Sequence, residues 1–374
     1  MTTWSPQQDG ALKAVSRWLK AGRGAPQVFR LFGYAGTGKS TLAREFAADV
    51  DGKVLFGAFT GKAAHVMHRK GCEGASTIHS MIYRLDEDGP MREEPRFVRD
   101  HDSAVKDAAL VIIDECSMVD EVLGRDLLSF KTPILVLGDP AQLPPVKGAG
   151  FFTEAQPDVM LTEVHRQAAE SPIINLATKV RQGGRLELGE FGKARVITRA
   201  DVTPDAVLAA DQVLVGLNKT RHAYNARIRT LKGIGAAAPT PGEKLVCLRN
   251  AKEKRLLNGS LWSVVDLPKQ RKRDKAMGAT RLTVRPDDEG AQERHVDVLV
   301  KNEFWSGREG DLEWQEKKGT EEFTFGYALT VHKAQGSQWD NVIVFDESST
   351  FREDKNRWLY TAATRAAERL TIVI

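Results

Sequence analysis

Eight consecutive residues, Gly33-Tyr34-Ala35-Gly36-Thr37-Gly38-Lys39-Ser40, limit the architecture of this 374-residue chain more than any other stretch. The pattern G-x-x-x-x-G-K-[ST] works where a buried strand delivers the backbone to a tight turn and a helix leads it away. Glycines let the chain curl until successive N–H groups face one point, and the positive end of the following helix faces the same point. Both flanks are present: Val28–Phe32 is a short apolar run of strand type, and Thr41–Val50 has helical composition. Such a loop serves a nucleoside triphosphate. Gly33, Gly36, Thr37 and Gly38 shape the cradle, Lys39 reaches the β- and γ-phosphates, Ser40 offers a hydroxyl to Mg²⁺, and Thr41 follows in the first helical turn.

The surrounding grammar fits. Val54–Phe59, Leu110–Ile113 and Ile134–Leu137 are continuous apolar runs, as expected of parallel strands buried on both faces, and helical segments such as Asp120–Phe130 lie between them. The expectation is an α/β fold with two P-loop NTPase-type lobes. The first lobe takes residues 1–81 and 103–165, and an exposed hairpin, Ile82–Asp102, is inserted with its turn at Asp88-Gly89-Pro90. The second takes residues 166–232 and 323–374. It opens at Ser171-Pro172, a helix cap and first helical position for Ile173–Arg181, and continues through strand Gln212–Gly216 and helix Lys219–Leu231. Between them, residues 233–322 carry short alternating strands (Leu245–Leu248, Leu261–Val265, Arg281–Arg285, His295–Val300), the pattern of a small β-barrel or meander insert. The α/β pattern returns at Phe323–Thr330, Val342–Phe345 and Leu370–Ile374.

Composition removes other classes. Hydrophobic residues are 41% and charged residues 28%, a globular balance. No apolar run approaches the ~18 residues of a membrane span, and no secretion signal opens the chain, so a cytoplasmic location without a membrane partner is expected. Cys72, Cys116 and Cys247 lie far apart, which argues against a disulfide scaffold or a structural zinc. Residues 251–275 hold eight basic and three acidic side chains, a larger surplus than the net +4 of the whole chain. A solvated loop and a polyanion-facing patch are both open readings of that run.

Two further segments complete a nucleotide site. Leu110-Val111-Ile112-Ile113-Asp114-Glu115 ends a strand in paired carboxylates: Asp114 is placed for the Mg²⁺ shell, and Glu115 for orienting or deprotonating an attacking water. Gly138-Asp139-Pro140-Ala141-Gln142 leaves the next strand at the edge where open α/β sheets bind ligands, and Gln142 is a neutral donor suited to sensing a γ-phosphate.

With these motifs and four more, the chain resembles the superfamily 1B DNA helicases of the RecD/Dda-like kind, the compact phage-type Dda branch above all. The further segments are Phe59-Thr60-Gly61-Lys62-Ala63-Ala64 with Ser76-Thr77-Ile78-His79-Ser80, Glu163-Val164-His165-Arg166-Gln167, Tyr327 to Ser337, and Tyr360-Thr361-Ala362-Ala363-Thr364-Arg365-Ala366. The resemblance implies two RecA-like lobes clamping ATP and Mg²⁺, single-stranded DNA lying across both, and 5′→3′ translocation that separates forked duplex DNA. It makes Arg166 and Arg365 the arginines that meet the γ-phosphate across the cleft, a task that suits a planar guanidinium. It assigns adenine to a glutamine before the phosphate loop, Gln8 or its neighbour Gln7, and places Gly336 at the nucleotide. Thr60, Lys62, Thr77, His79, Thr330, His332 and Lys333 become backbone-directed DNA contacts, as a sequence-tolerant motor requires. Trp262, Phe304, Trp305, Trp314 and Trp339 are candidate stacking surfaces, Trp339 the best placed. The hairpin becomes a strand-separating pin with Phe97 as wedge, against the alternative of a plain surface loop. Asn218, Arg221 and Asn225 match the family more loosely, and Ala334 stands where a serine is common. With little chain before the phosphate loop, a monomer outside any nuclease complex is expected, with single-strand-binding or replisome proteins as further partners. A nucleotide-gated nucleic-acid switch and a superfamily 1 RNA helicase are the alternative readings.

Overall fold

The strand-turn-helix unit around Gly33–Ser40 belongs to a six-stranded sheet. In the computed structural model, which describes residues 4–85, 97–145, 148–163, 170–251, 253–287 and 294–374, β1 (Val28–Gly33), β2 (Val54–Ala58) and β3 (Ser76–Thr77) precede a small antiparallel pair, β4 (Tyr83–Leu85) and β5 (Phe97–Arg99). β6 (Leu110–Asp114), β7 (Ile134–Gly138) and β8 (Val159–Leu161) follow. The order is β3-β2-β6-β7-β1-β8, with every pairing parallel. Every residue of β6 and β7 is buried, because helices cover both faces, and this is why these runs are apolar without alternation. Helix Pro6–Ala21 begins with a capping box of Ser5 and Gln8, and helices Lys39–Ala48 and Gly61–Arg69 complete that face.

The second lobe repeats the plan. β9 (Gly189–Phe191), β10 (Ala194–Ile197) and β11 (Gln212–Val215) come before the insert; β17 (Ala328–Thr330), β18 (Trp339–Phe345) and β19 (Ala366–Val373) come after it. The order is β17-β11-β18-β19-β10-β9, parallel but for the β9 edge. Its core gathers around Trp358, Tyr360, Leu214 and Ile372.

The insert is a five-stranded antiparallel sheet of order β15-β14-β13-β12-β16, made by β12 (Lys244–Cys247), β13 (Leu261–Asp266), β14 (Ala279–Pro286), β15 (Val296–Lys301) and β16 (Phe323–Phe325). Its two edges approach each other where the Glu321 N–H donates to Leu299 O at 2.8 Å. The second lobe therefore resumes later than position 323. Phe323–Phe325 pairs with β12, and the chain crosses to the parallel sheet at Gly326, where a Cβ would stand 2.8 Å from the Leu245 carbonyl carbon. Trp262 and Phe304 are 2% and 1% exposed in the insert's core, so neither is a stacking surface. Of the expected pin, only its flanks β4 and β5 are among the described residues.

Candidate active site

Gly36 (φ 81°) and Gly38 (φ 82°) take left-handed backbone that only glycine adopts without strain, and between them the loop turns back on itself. A Cβ on Gly33 would sit 2.6 Å from Thr37 Oγ1 and 2.9 Å from Leu161 Cβ. Thr37 Oγ1 donates to Tyr34 O at 2.8 Å and braces the curl from within. Lys39 Nζ donates to Gly33 O (2.6 Å) and Tyr34 O (3.0 Å), so its charge lies against the loop. The helix Lys39–Ala48 starts here and carries Ser40 and Thr41 in its first turn.

β2, β6 and β7 deliver the opposing wall. Ser40 Oγ donates to Asp114 Oδ2 at 2.8 Å, joining the two expected Mg²⁺ ligands, and the other Asp114 oxygen accepts the Glu115 N–H at 2.8 Å. Glu115 itself has φ 53°, an unusual value for a residue with a side chain. Burial pushes its carboxyl above the usual range and the Asp114 charge adds to this, while Arg365 and Lys39 pull it down. Gln142 is 6% exposed, and its Oε1 is buried with no partner among the described residues.

Arg365 comes from the other lobe. It is 6% exposed, held by Thr361 O (Nε, 3.1 Å), Ser337 O (Nη1, 3.1 Å) and Thr364 Oγ1 (Nη2, 3.1 Å). It lines one cavity of about 360 Å³ together with Lys39, Ser40, Glu115, Gln142 and Gly336. Gly336 (φ 72°) abuts the first lobe so closely that a Cβ would meet Ala63 Cβ at 2.9 Å. The arrangement puts cations from both lobes, a carboxylate with raised affinity for protons and an amide oxygen without a partner among the described residues around this one cavity. Gln8 lies behind the loop, donating from Nε2 to Thr37 O (3.1 Å) and accepting the Ser5 N–H (3.1 Å). Gln7 instead binds the backbone N–H groups of Thr162 and Glu163 at 2.8 and 3.0 Å. Arg166 lies outside the described residues. No cluster of three or more His, Cys, Asp or Glu side chains suited to a metal occurs among the described residues, but the Ser40–Asp114 pair matches Mg²⁺, which takes one or two protein oxygens and fills its shell with phosphate and water.

The expected nucleic-acid contacts divide into two sorts. Thr60, Thr77 and Thr330 are N-caps, their hydroxyls accepting from Ala63, Ser80 and Lys333 N–H. Lys62 Nζ stands 4.8 Å above the Trp339 ring, so these two residues meet across the lobes. His79 packs between Tyr83 (4.6 Å) and Phe97 (4.8 Å), and Phe97 is 52% exposed. His332 lies 5.7 Å from Phe351. Burial lowers the affinity of His79 and His332 for protons; it does the same to Lys333, with the Arg221 charge adding to the effect. Asn225 pairs with both backbone groups of Ala328 at 3.0 Å, and Arg221 reaches Glu309 at 3.2 Å, so these two tie the second lobe to itself and to the insert. In the basic run, Lys254 is paired with Glu321 at 2.7 Å. Sequence reasoning left Tyr360, Asp139 and Arg181 without roles, although Tyr360 stands in the same segment as Arg365.

Residues 6–201 match the model of an AAA domain, and residues 325–373 that of a UvrD-like helicase C-terminal domain. The chain belongs to this AAA-domain family, on the superfamily 1B branch of helicases. It is 32% identical over 369 residues to the ATP-dependent RecD2 DNA helicase of Deinococcus radiodurans, an alignment covering 91% of this chain and 46% of that protein. It thus spans about half the length of that relative. It is 26% identical over 419 aligned positions to the ATP-dependent DNA helicase Pif1 of Bdellovibrio bacteriovorus, covering 99% of this chain and 87% of that protein. Among solved structures, Bacteroides Pif1 bound to single-stranded DNA superposes with a TM-score of 0.59 at 18% identity, covering 100% of this chain and 92% of that one, which shows a shared fold. These relatives are RecD2 and Pif1 proteins, so the narrower likeness to phage Dda stays a resemblance in sequence. No described helix is long and apolar enough to cross a membrane.

Proposed function

We propose that this chain is an ATP-dependent DNA helicase and translocase that moves 5′→3′ on single-stranded DNA and opens duplex DNA at a fork. The observation that carries the reading is Arg365, a guanidinium of the second lobe, lining the same cavity as Lys39 and Glu115 of the first. Lys39 and the loop N–H groups hold the phosphates; Glu115, its pKa raised by burial, takes a proton from the attacking water; Gln142 and Arg365 bind the γ-phosphate oxygens. When bound by Ser40 and Asp114, Mg²⁺ supplies charge to the phosphates. Arg365 makes closure of the lobes depend on the γ-phosphate, Arg166 joins it as the family pattern implies, and hydrolysis removes that tie. Alternate closing and opening then shifts the lobes along a strand gripped at Thr60, Lys62, Thr77, His79, Thr330, His332 and Lys333.

The finer parts belong to the same reading. β4 and β5 are the base of a strand-separating pin with Phe97 at its exposed edge, the insert forms a small β-barrel, and Gln8 or Gln7 reads the adenine. Polarity comes from the family, and forked DNA and a monomeric state are carried over with it. The test is strand displacement on duplexes with a 5′ or a 3′ single-stranded tail. Unwinding from the 5′ tail with ATP and Mg²⁺ is expected. Equal unwinding from the 3′ tail overturns the polarity, and ATP-dependent binding with no unwinding turns the reading to a nucleotide-gated switch.

A further inference from the structure

Two loops of the first lobe are fastened to one helix of the second by side chains to which the proposed mechanism gives no task. Tyr360, in helix Lys355–Ala363, is 2% exposed. Its hydroxyl accepts the Ala35 N–H of the phosphate loop at 2.9 Å and donates to Asp139 Oδ2 at 2.6 Å. Asp139 is wholly buried, and its other oxygen accepts the Ala141 N–H at 2.9 Å, which fixes the turn that presents Gln142. The next residue of the helix, Thr361, accepts the Leu143 N–H on Oγ1 at 2.9 Å, while its carbonyl accepts from Arg365 Nε at 3.1 Å. Arg181 of the second lobe adds a cation over the Tyr34 ring at 3.3 Å. One helix end therefore touches the phosphate loop, the Gln142 turn and the arginine that faces them.

A tyrosine ring in this place fills space, and phenylalanine would fill it equally well. The hydroxyl does something else: it joins two separate loops through one oxygen, in a setting with little water to compete. Burial and the Asp139 charge hold the phenol proton far more tightly than in a free tyrosine, so the bond persists through any working pH.

We propose that Tyr360 is a positioning residue for hydrolysis, its hydroxyl setting the phosphate loop, the Gln142 turn and Arg365 in one register so that strand binding in the second lobe is felt at the cleft. This rests on the ATPase reading above. The experiment is steady-state ATP hydrolysis by the full chain and by Tyr360→Phe, across ATP concentrations, with and without saturating single-stranded DNA, and with the melting temperature recorded. A positioning role predicts that kcat in the presence of DNA falls about ten- to a hundredfold, the scale of one hydrogen bond to a charged group, while KM for ATP changes by less than about twofold. Asp139→Asn is the second variant, and the double variant is expected to be no worse than the worse single one. If Tyr360→Phe keeps the wild-type kcat and DNA stimulation, whatever its melting temperature, the residue only packs and the proposal fails. A loss that falls wholly on KM overturns it too. A wild-type chain that hydrolyses no ATP sinks the functional reading itself, which is a separate result.

Discussion

The proposed nucleotide cleft and the proposed strand track are built from similar polar residues used in different ways. In the proposed cleft, groups from both lobes line one cavity in which Gln142 Oε1 is buried without a partner among the described residues and burial raises the affinity of Glu115 for protons. Along the track, Thr60, Thr77 and Thr330 already hold helix N-termini, at 3.2, 3.1 and 3.4 Å. A buried acceptor without a donor costs stability, and of the groups in the proposed reaction it is the attacking water, not the phosphate, that has a proton to donate to Gln142 Oε1. The track hydroxyls serve the fold first. Substitutions in the cleft should thus remove activity and spare the fold, and substitutions along the track should cost both.

The largest effect is expected at the lobe junction. Arg365→Ala should slow single-turnover ATP hydrolysis about 10³-fold, the scale of an arginine finger, with the far-ultraviolet circular dichroism spectrum unchanged. Activity within a few-fold of wild type would place the arginine outside the reaction. The next prediction concerns acid. Glu115 must be ionised to act as a base, and its folded-state pKa is raised, so activity should disappear as pH falls through a value above the ordinary glutamate pKa of about 4.3. The pH profile of kcat/KM checks this, and an acid limb at the ordinary position would show that burial does not govern the group. The smallest effect belongs to the track: Thr77→Ala should cost about 1 kcal/mol in urea denaturation, as loss of an N-cap does, together with a few-fold loss of single-stranded DNA affinity by fluorescence anisotropy. Weaker DNA binding with unchanged stability would break the contrast between the two regions.

The cleft was legible in the sequence because local rules dictate it. Gly36 and Gly38 need left-handed backbone, Lys39 and Ser40 follow at fixed distance, and the parallel strands β1, β7 and β6 end at one edge, where Ser40 Oγ meets Asp114. Arg365 was legible through its surrounding segment. The Tyr360–Asp139 bond was not, since it joins positions 221 apart and depends on how two lobes dock, which no local pattern encodes. The exit from the insert was misplaced for a related reason: Phe323–Thr330 reads as one apolar run, yet Gly326 splits it between two sheets. The capping roles of Thr60, Thr77 and Thr330 were not legible beside their expected strand contacts, because a hydroxyl after a strand suits either task.

The central claim, that two lobes closing on a triphosphate are coupled to a nucleic-acid strand, is tested most directly by the steady-state rate of ATP hydrolysis titrated with a single-stranded DNA homopolymer. The account predicts a rate that rises with DNA and saturates, and a rate indifferent to DNA at every concentration would contradict it.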